Sequence, residues 1–108
     1  MKASNKALLE RWATRRDAEA FAEIVSRYAG MVYGTCRRIL GDTAIAEDVT
    51  QECFMKLSQA DPAAGQSLGG WLHKVATNRS LNRIKADQRR HEREKEYSAM
   101  AHNSAEVT

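Results

Sequence analysis

From Asp17 onward the apolar positions Phe21, Ile24, Val25, Tyr28, Val32, Cys36 and Ile39 recur mostly at steps of three and four. That is the period of one side of an α-helix. Asp17 has the side chain of an N-cap. Gly30 falls inside the stripe and predicts either two helices, about 17–28 and 30–40, or one bent rod. Gly34 is a candidate for close approach by a neighbouring helix. Gly41 closes the segment and Asp42 is placed to cap the next one. A short amphipathic helix over 3–14 precedes, with Leu8, Leu9 and Trp12 on one side. A further helix over about 43–59 carries a core stripe of Ala46, Val49, Cys53 and Leu57.

Residues 60–70, "ADPAAGQSLGG", hold the only proline and read as a loop, with Ser67 as a polar cap. A long helix then starts near Leu68 or Trp71 and runs to about Glu96. Its first half presents Trp71, Leu72, Val75 and Ala76 to a core. Leu81 and Ile84 lie on another side, so two faces call for cover. Beyond Lys85 the apolar residues stop, and residues 97–108 carry no core signal and read as a disordered tail. The organisation expected is 1–16 as an N-terminal helix and lead-in, 17–96 as one helical domain, and 97–108 as a tail or linker. The fold class is all-α, a compact bundle of about four to five helices with a long basic C-terminal helix; no alternating β-branched run argues for a sheet.

The chain has 108 residues and a net charge of +3, which points only weakly to nucleic acid. The distribution of charge says more. Residues 42–61 set Asp42, Glu47, Asp48, Glu52 and Asp61 against Lys56 alone. Residues 71–95 set Lys74, Arg79, Arg83, Lys85, Arg89, Arg90, Arg93 and Lys95 against Asp87, Glu92 and Glu94. Two oppositely charged segments suit two partners, or two solvated helix faces. Cys36 and Cys53 sit at apolar helical positions outside any CxxC and read as buried free thiols. Neither they nor His73, His91 and His102 have metal-ligand spacing, so no metal or cofactor is expected. No segment has the length of apolar residues that a membrane span needs, and no signal-peptide core stands at the N-terminus. A soluble cytoplasmic protein is the expectation.

The chain carries no Gly-rich phosphate loop, no HExxH and no supported nucleophile–base set, so no catalytic residue is assigned and a non-enzyme is expected. Two surfaces stand out instead. Asp48, Gln51, Glu52 and Met55 are spaced i, i+3, i+4, i+7, an acidic stripe separate from the core stripe and ending in an apolar residue. In "WLHKVATNRSLNRIK", Lys74, Asn78, Asn82 and Lys85 advance by four, four and three. Lysine offers charge to phosphates, and asparagine donates to and accepts from base edges. Trp71 and His73 stand beside this stripe; Trp71 reads as a core residue or as a ring that stacks on unpaired bases.

The order "DAEAFAEIVSRYAGMVYGTCRRILGD – AEDVTQECFMKL – SLGGWLHKVATNRSLNRIKADQRR", about residues 17–90, resembles region 2 of the bacterial sigma-70 family and is most similar to its extracytoplasmic-function group. "AEDVTQECF" looks like the family's polymerase-contacting helix, and "WLHKVATN" like the helix that meets the promoter −10 element. The resemblance implies that Asp48, Gln51, Glu52 and Met55, with Phe54 contacting or supporting them, dock on the clamp helices of the RNA polymerase β′ subunit. It also implies that the 60–70 loop and the start of the last helix capture −10 bases of the non-template strand. By position Asn78 matches the residue lining the base pocket, and His73 occupies a site more usually tyrosine. Lys56, Lys74, Asn82 and Arg83 are implied contacts to backbone or neighbouring bases.

Three departures follow. The 60–70 loop lacks an aromatic residue, so a wall of the base pocket is missing from its sequence. His73 replaces the usual tyrosine. The helix-turn-helix region that reads the −35 element has no counterpart, so a piece of a longer protein is expected. The function implied is a transcription-initiation domain, with the chemistry belonging to the polymerase. Two rivals remain: a sigma-like module bound chiefly by an anti-sigma protein, and a generic basic helical DNA-binding domain. The acidic stripe, which DNA does not need, disfavours the second.

Overall fold

Four helices account for the backbone of the computed structural model, which describes residues 2–60 and 67–107, with side chains as far as Ala101. Helix α1 spans Asn5–Arg15 and starts where Ser4 Oγ accepts the Ala7 N–H at 3.1 Å. It ends at Arg16, which adopts the left-handed conformation at φ 49° and ψ 46°. Helix α2 spans Ala18–Leu40, capped by Asp17, whose carboxylate accepts the Glu19 and Ala20 N–H groups. The Arg11 guanidinium, 2.8 Å away, and these two N–H groups hold the Asp17 carboxyl below the usual carboxylate range.

Helix α2 is one continuous helix, which decides for a single rod over two helices broken at Gly30. A glycine in a helix interior costs only about 1 kcal/mol. The complete burial of Ile24, Val32 and Cys36 on either side of it outweighs that. Gly34 receives no close neighbour either: a β-carbon there would meet nothing within 4 Å. The close approach occurs at Gly69, where a β-carbon would lie 3.3 Å from the Tyr28 ring. Gly41 ends α2 at φ 74°, and Asp42 caps α3, Thr43–Gln59, by accepting the Ile45 N–H at 3.0 Å.

Helix α2 packs against α1, α3 and α4, and α3 also packs against α4. Between them lie Leu8, Ile24, Val32, Cys36, Val49, Cys53, Leu57 and Leu72, each almost fully buried. Cys36 and Cys53 are both free thiols in this core. Burial, with Cys36 close by, pushes the Cys53 thiol up to about 12, so it stays protonated.

Helix α4, Leu68–Val107, begins where Ser67 Oγ accepts the Gly70 N–H at 3.0 Å. Its burial ends at Ser80. Of the second apolar face expected there, Leu81 is 45% exposed and Ile84 half-buried. The helix nonetheless runs through Val107, which corrects the predicted end near Glu96. From Gln88 to Ala101 every residue is exposed. This stretch is rich in Arg, Glu, Lys and Ala, which are strong helix formers. Asp87 sits one turn from both Arg83 and Arg90, at 3.5 Å and 2.5 Å, adding local pairs in place of a core. The projecting helix draws the molecule out to 74 Å along its long axis. Among the described residues no helix is long and apolar enough to cross a membrane.

Candidate functional site

The 3.6-residue repeat divides α3 between two environments. Ala46, Val49, Cys53, Phe54 and Leu57 face inward, and Asp48, Gln51 and Met55 face solvent. Met55 is 62% exposed, an apolar side chain left in water beside two polar ones. Phe54 is only 7% exposed, so it supports this face from behind. Gln51, Phe54 and Met55 form one wall of a shallow apolar groove of about 400 Å³, and Phe21, Val25 and Ala29 of α2 form the other.

The end of α3 is tied down by the turn between α1 and α2. The Ser58 carbonyl accepts both the Trp12 indole N–H at 3.1 Å and an Arg16 guanidinium N–H at 3.0 Å. The left-handed backbone of Arg16 turns its side chain back over the Trp12 ring, 4.9 Å from the centroid. Helix C-terminal carbonyls lack intrahelical partners, and here one of them gains two.

A second groove, of about 670 Å³, runs between α3 and the exposed side of α4. Lys56 reaches it from α3, and Trp71, Lys74, Asn78, Asn82 and Arg83 from α4. Six of the residues selected from sequence for DNA contact therefore share one concavity. His73 does not: it is exposed but lies outside the groove. Five residues from Asn78, it sits about 140° round the helix. Trp71 packs against the core at one edge and lines the groove at the other. Residues 61–66, which carry most of the predicted base-capturing loop, lie outside the described residues.

Sequence reasoning missed Arg79, which also lines the groove and stands 3.6 Å from Glu52 across the two helices. Its Nε is buried without a hydrogen-bond partner among the described residues. The signal was present: Val75, Arg79, Asn82 and Ala86 form a second helical row beside the Lys74–Asn78–Asn82 row. Glu52, assigned from sequence to the acidic stripe, thus also faces the basic groove. Among the described residues no three His, Cys, Asp or Glu side chains gather as a metal site. The groove offers cations, amide donors and acceptors and one aromatic face, the set that engages phosphates and unpaired bases.

The family Sigma-70 region 2 matches residues 24–90. The ECF RNA polymerase sigma factor SigK of Mycolicibacterium vanbaalenii is 33% identical over 97 residues, covering 86% of this chain and 49% of the relative. The protein of the same name from Mycobacterium tuberculosis is 37% identical over 97 residues, covering 86% of this chain and 51% of the relative. The chain therefore spans about half the length of these curated relatives. With the family matched across helices α2 to α4, the chain belongs to the sigma-70 family, through its region 2.

Proposed function

We propose that the chain is the part of an extracytoplasmic-function sigma factor that binds core RNA polymerase and recognises and helps open the −10 element. One observation carries the proposal. The two segments that resemble the family's motifs occupy different surfaces, an acidic face on α3 and a basic, amide-rich groove between α3 and α4. Asp48, Gln51 and Met55 are the contact set for the β′ clamp helices, with Phe54 as their backing. Charge there speeds encounter with a basic partner, and the exposed Met55 supplies an apolar anchor. An anti-sigma protein covering this face would compete with the polymerase for the same residues.

In the groove, Lys56, Lys74 and Arg83 hold the phosphates of the non-template strand, and Asn78 and Asn82 address base edges. Turning a base out costs a few kcal/mol. Stacking on an aromatic such as Trp71 returns about 1–3 kcal/mol per base, so capture favours the open strand.

The test uses two variants. Asp48→Lys should weaken association with core polymerase in a pull-down while the far-UV circular dichroism is unchanged. Asn78→Ala should reduce binding of the chain–polymerase complex to single-stranded −10 DNA more than to duplex. Unaltered polymerase capture by Asp48→Lys would refute the docking face, and equal losses on the two DNAs would refute base reading.

A further inference from the structure

Helix α1 precedes residues 24–90, the span that matches the family, and buries Leu8 in the core. Its polar side chains make contacts that this burial does not require. At its C-terminal end Trp12 and Arg16 donate to the Ser58 carbonyl, at 3.1 Å and 3.0 Å. At its N-terminal end the Asn5 amide donates to the Tyr28 hydroxyl and accepts from the Arg27 guanidinium at 3.0 Å. Glu23 holds Arg27 in turn, 3.2 Å from its Nε. Both polar atoms of Asn5 are thus engaged, and they tie the Tyr28 ring to α1. Gly69 packs against that ring so closely that a β-carbon on it would lie 3.3 Å away.

The positions of Ser58 and Gly69 give these bonds a consequence for the basic groove. Ser58 lies two residues beyond Lys56, the last groove residue of α3, and Gly69 lies two residues before Trp71, the first groove residue of α4. Asn5 and Trp12 are seven residues apart, about 10 Å along one helix. One short helix therefore grips the end of α3 directly and the start of α4 through Tyr28. Lys56 carries charge for a phosphate and Trp71 a face for a base, and they stand on separate helices. A strand that meets one of them gains the other at full strength only where their spacing is already set. We infer that α1 is a brace that presets the Lys56–Trp71 spacing for single-stranded DNA, with Asn5, Tyr28, Trp12 and Arg16 as its positioning residues. The ligand in this role rests on the promoter reading, and the brace itself rests on the bonds of α1.

Two measurements test the brace. Spin labels at Gln59→Cys and His73→Cys, both exposed positions, report the distance from the end of α3 to the start of α4 in the full chain. Cys36 and Cys53 are buried and stay unlabelled. The otherwise unaltered chain should give one narrow distribution. Asn5→Ala, Tyr28→Phe, and Trp12→Phe with Arg16→Ala should each broaden it. The second measurement is binding of the chain–polymerase complex to a single-stranded −10 oligonucleotide. Asn5→Ala and Tyr28→Phe should each weaken it about fivefold, the low end of coupling between separate sites, with polymerase capture unchanged. Their double variant should lose no more than the weaker single, because both break the same bond. Gly41→Ala strains the far end of α2 without touching the groove, and should leave the strand affinity unaltered. An equal loss in Gly41→Ala would trace the effect to stability and overturn the brace. Unbroadened label distances, or wild-type strand affinity in Asn5→Ala and Tyr28→Phe, overturn it as well. Failure of the unaltered complex to bind the −10 strand sinks the promoter reading instead. The label distances then decide the brace alone: broadening upholds it, and an unchanged distribution rejects it.

Discussion

Trp12→Phe removes one hydrogen bond and little else. The phenyl ring keeps the contact with Phe21, whose ring centroid lies 4.7 Å from that of Trp12, and keeps a face under the Arg16 guanidinium. What goes is the indole N–H that the Ser58 carbonyl accepts. A hydrogen bond of this kind contributes about 0.5–1.5 kcal/mol, so a loss near 1 kcal/mol is expected. Arg16→Ala removes the other donor to the same carbonyl and the cation over the ring, and a similar loss of about 1 kcal/mol follows. In either single variant Ser58 keeps one donor.

The double variant leaves that carbonyl without a side-chain donor among the described residues, at a partly covered helix end. Its loss should therefore exceed the sum of the singles by about 0.5–1 kcal/mol, the size of coupling seen between groups sharing a partner. Urea denaturation followed by far-UV circular dichroism gives all three values, and each single variant should lower Tm by about 4–8 °C. Additivity within about 0.3 kcal/mol would refute the shared latch and reduce the two contacts to independent surface interactions.

Three further outcomes follow from the core and the caps. Ser80→Ala should stabilise by about 1 kcal/mol in the same denaturation assay, because its fully buried Oγ has no partner among the described residues. Gly41→Ala should cost about 1–2 kcal/mol, all of it backbone strain: φ is 74° and an added β-carbon would meet nothing within 4 Å. Cys53→Ala should flatten an alkaline slope in stability. The native thiol is held up to about 12 against 9.0, so its contribution is complete below pH 9 and lost as pH rises from 9 to 12. A wild-type and a variant curve that run parallel over that window would refute it.

What the sequence discloses and what it hides divide along a physical line. The caps at Asp17, Asp42 and Ser67 are legible because each satisfies N–H groups three residues or fewer away. The core stripes of α2 and α3 are legible because periodicity encodes burial. The continuity of α2 is hidden because a glycine's cost is local while the burial that overrides it is tertiary. The reach of α4 is hidden for the opposite reason: without a core stripe, only propensity and the pairs around Asp87 mark it as helix. The Trp12 and Arg16 bonds to Ser58 join positions more than forty residues apart, and no local pattern signals them. Within the groove, the row along α4 is visible as spacing, but Lys56 enters it only because α3 and α4 pack side by side.

Glu52 shows how far a one-helix view can mislead. Spacing on α3 groups it with Asp48, Gln51 and Met55, yet its carboxylate lies 3.6 Å from Arg79 in the basic groove. The pair is 45% and 39% exposed, so screening limits it to about 0–1 kcal/mol. Its importance is positional: one carboxylate borders both proposed surfaces, and partners at the two faces contend for it. Glu52→Gln should leave Arg79 free to meet a phosphate and so tighten single-stranded −10 DNA, with a steeper salt slope by up to about one. The same change should weaken core polymerase if Glu52 also meets the clamp. Asp48→Lys, which touches only the outer face, should weaken the polymerase and leave the groove unaltered. Titrating fluorescent −10 strand into each complex, beside a polymerase pull-down, separates the two effects. Glu52→Gln binding the strand no better than wild type would mean that Arg79 serves only to hold α4 against α3.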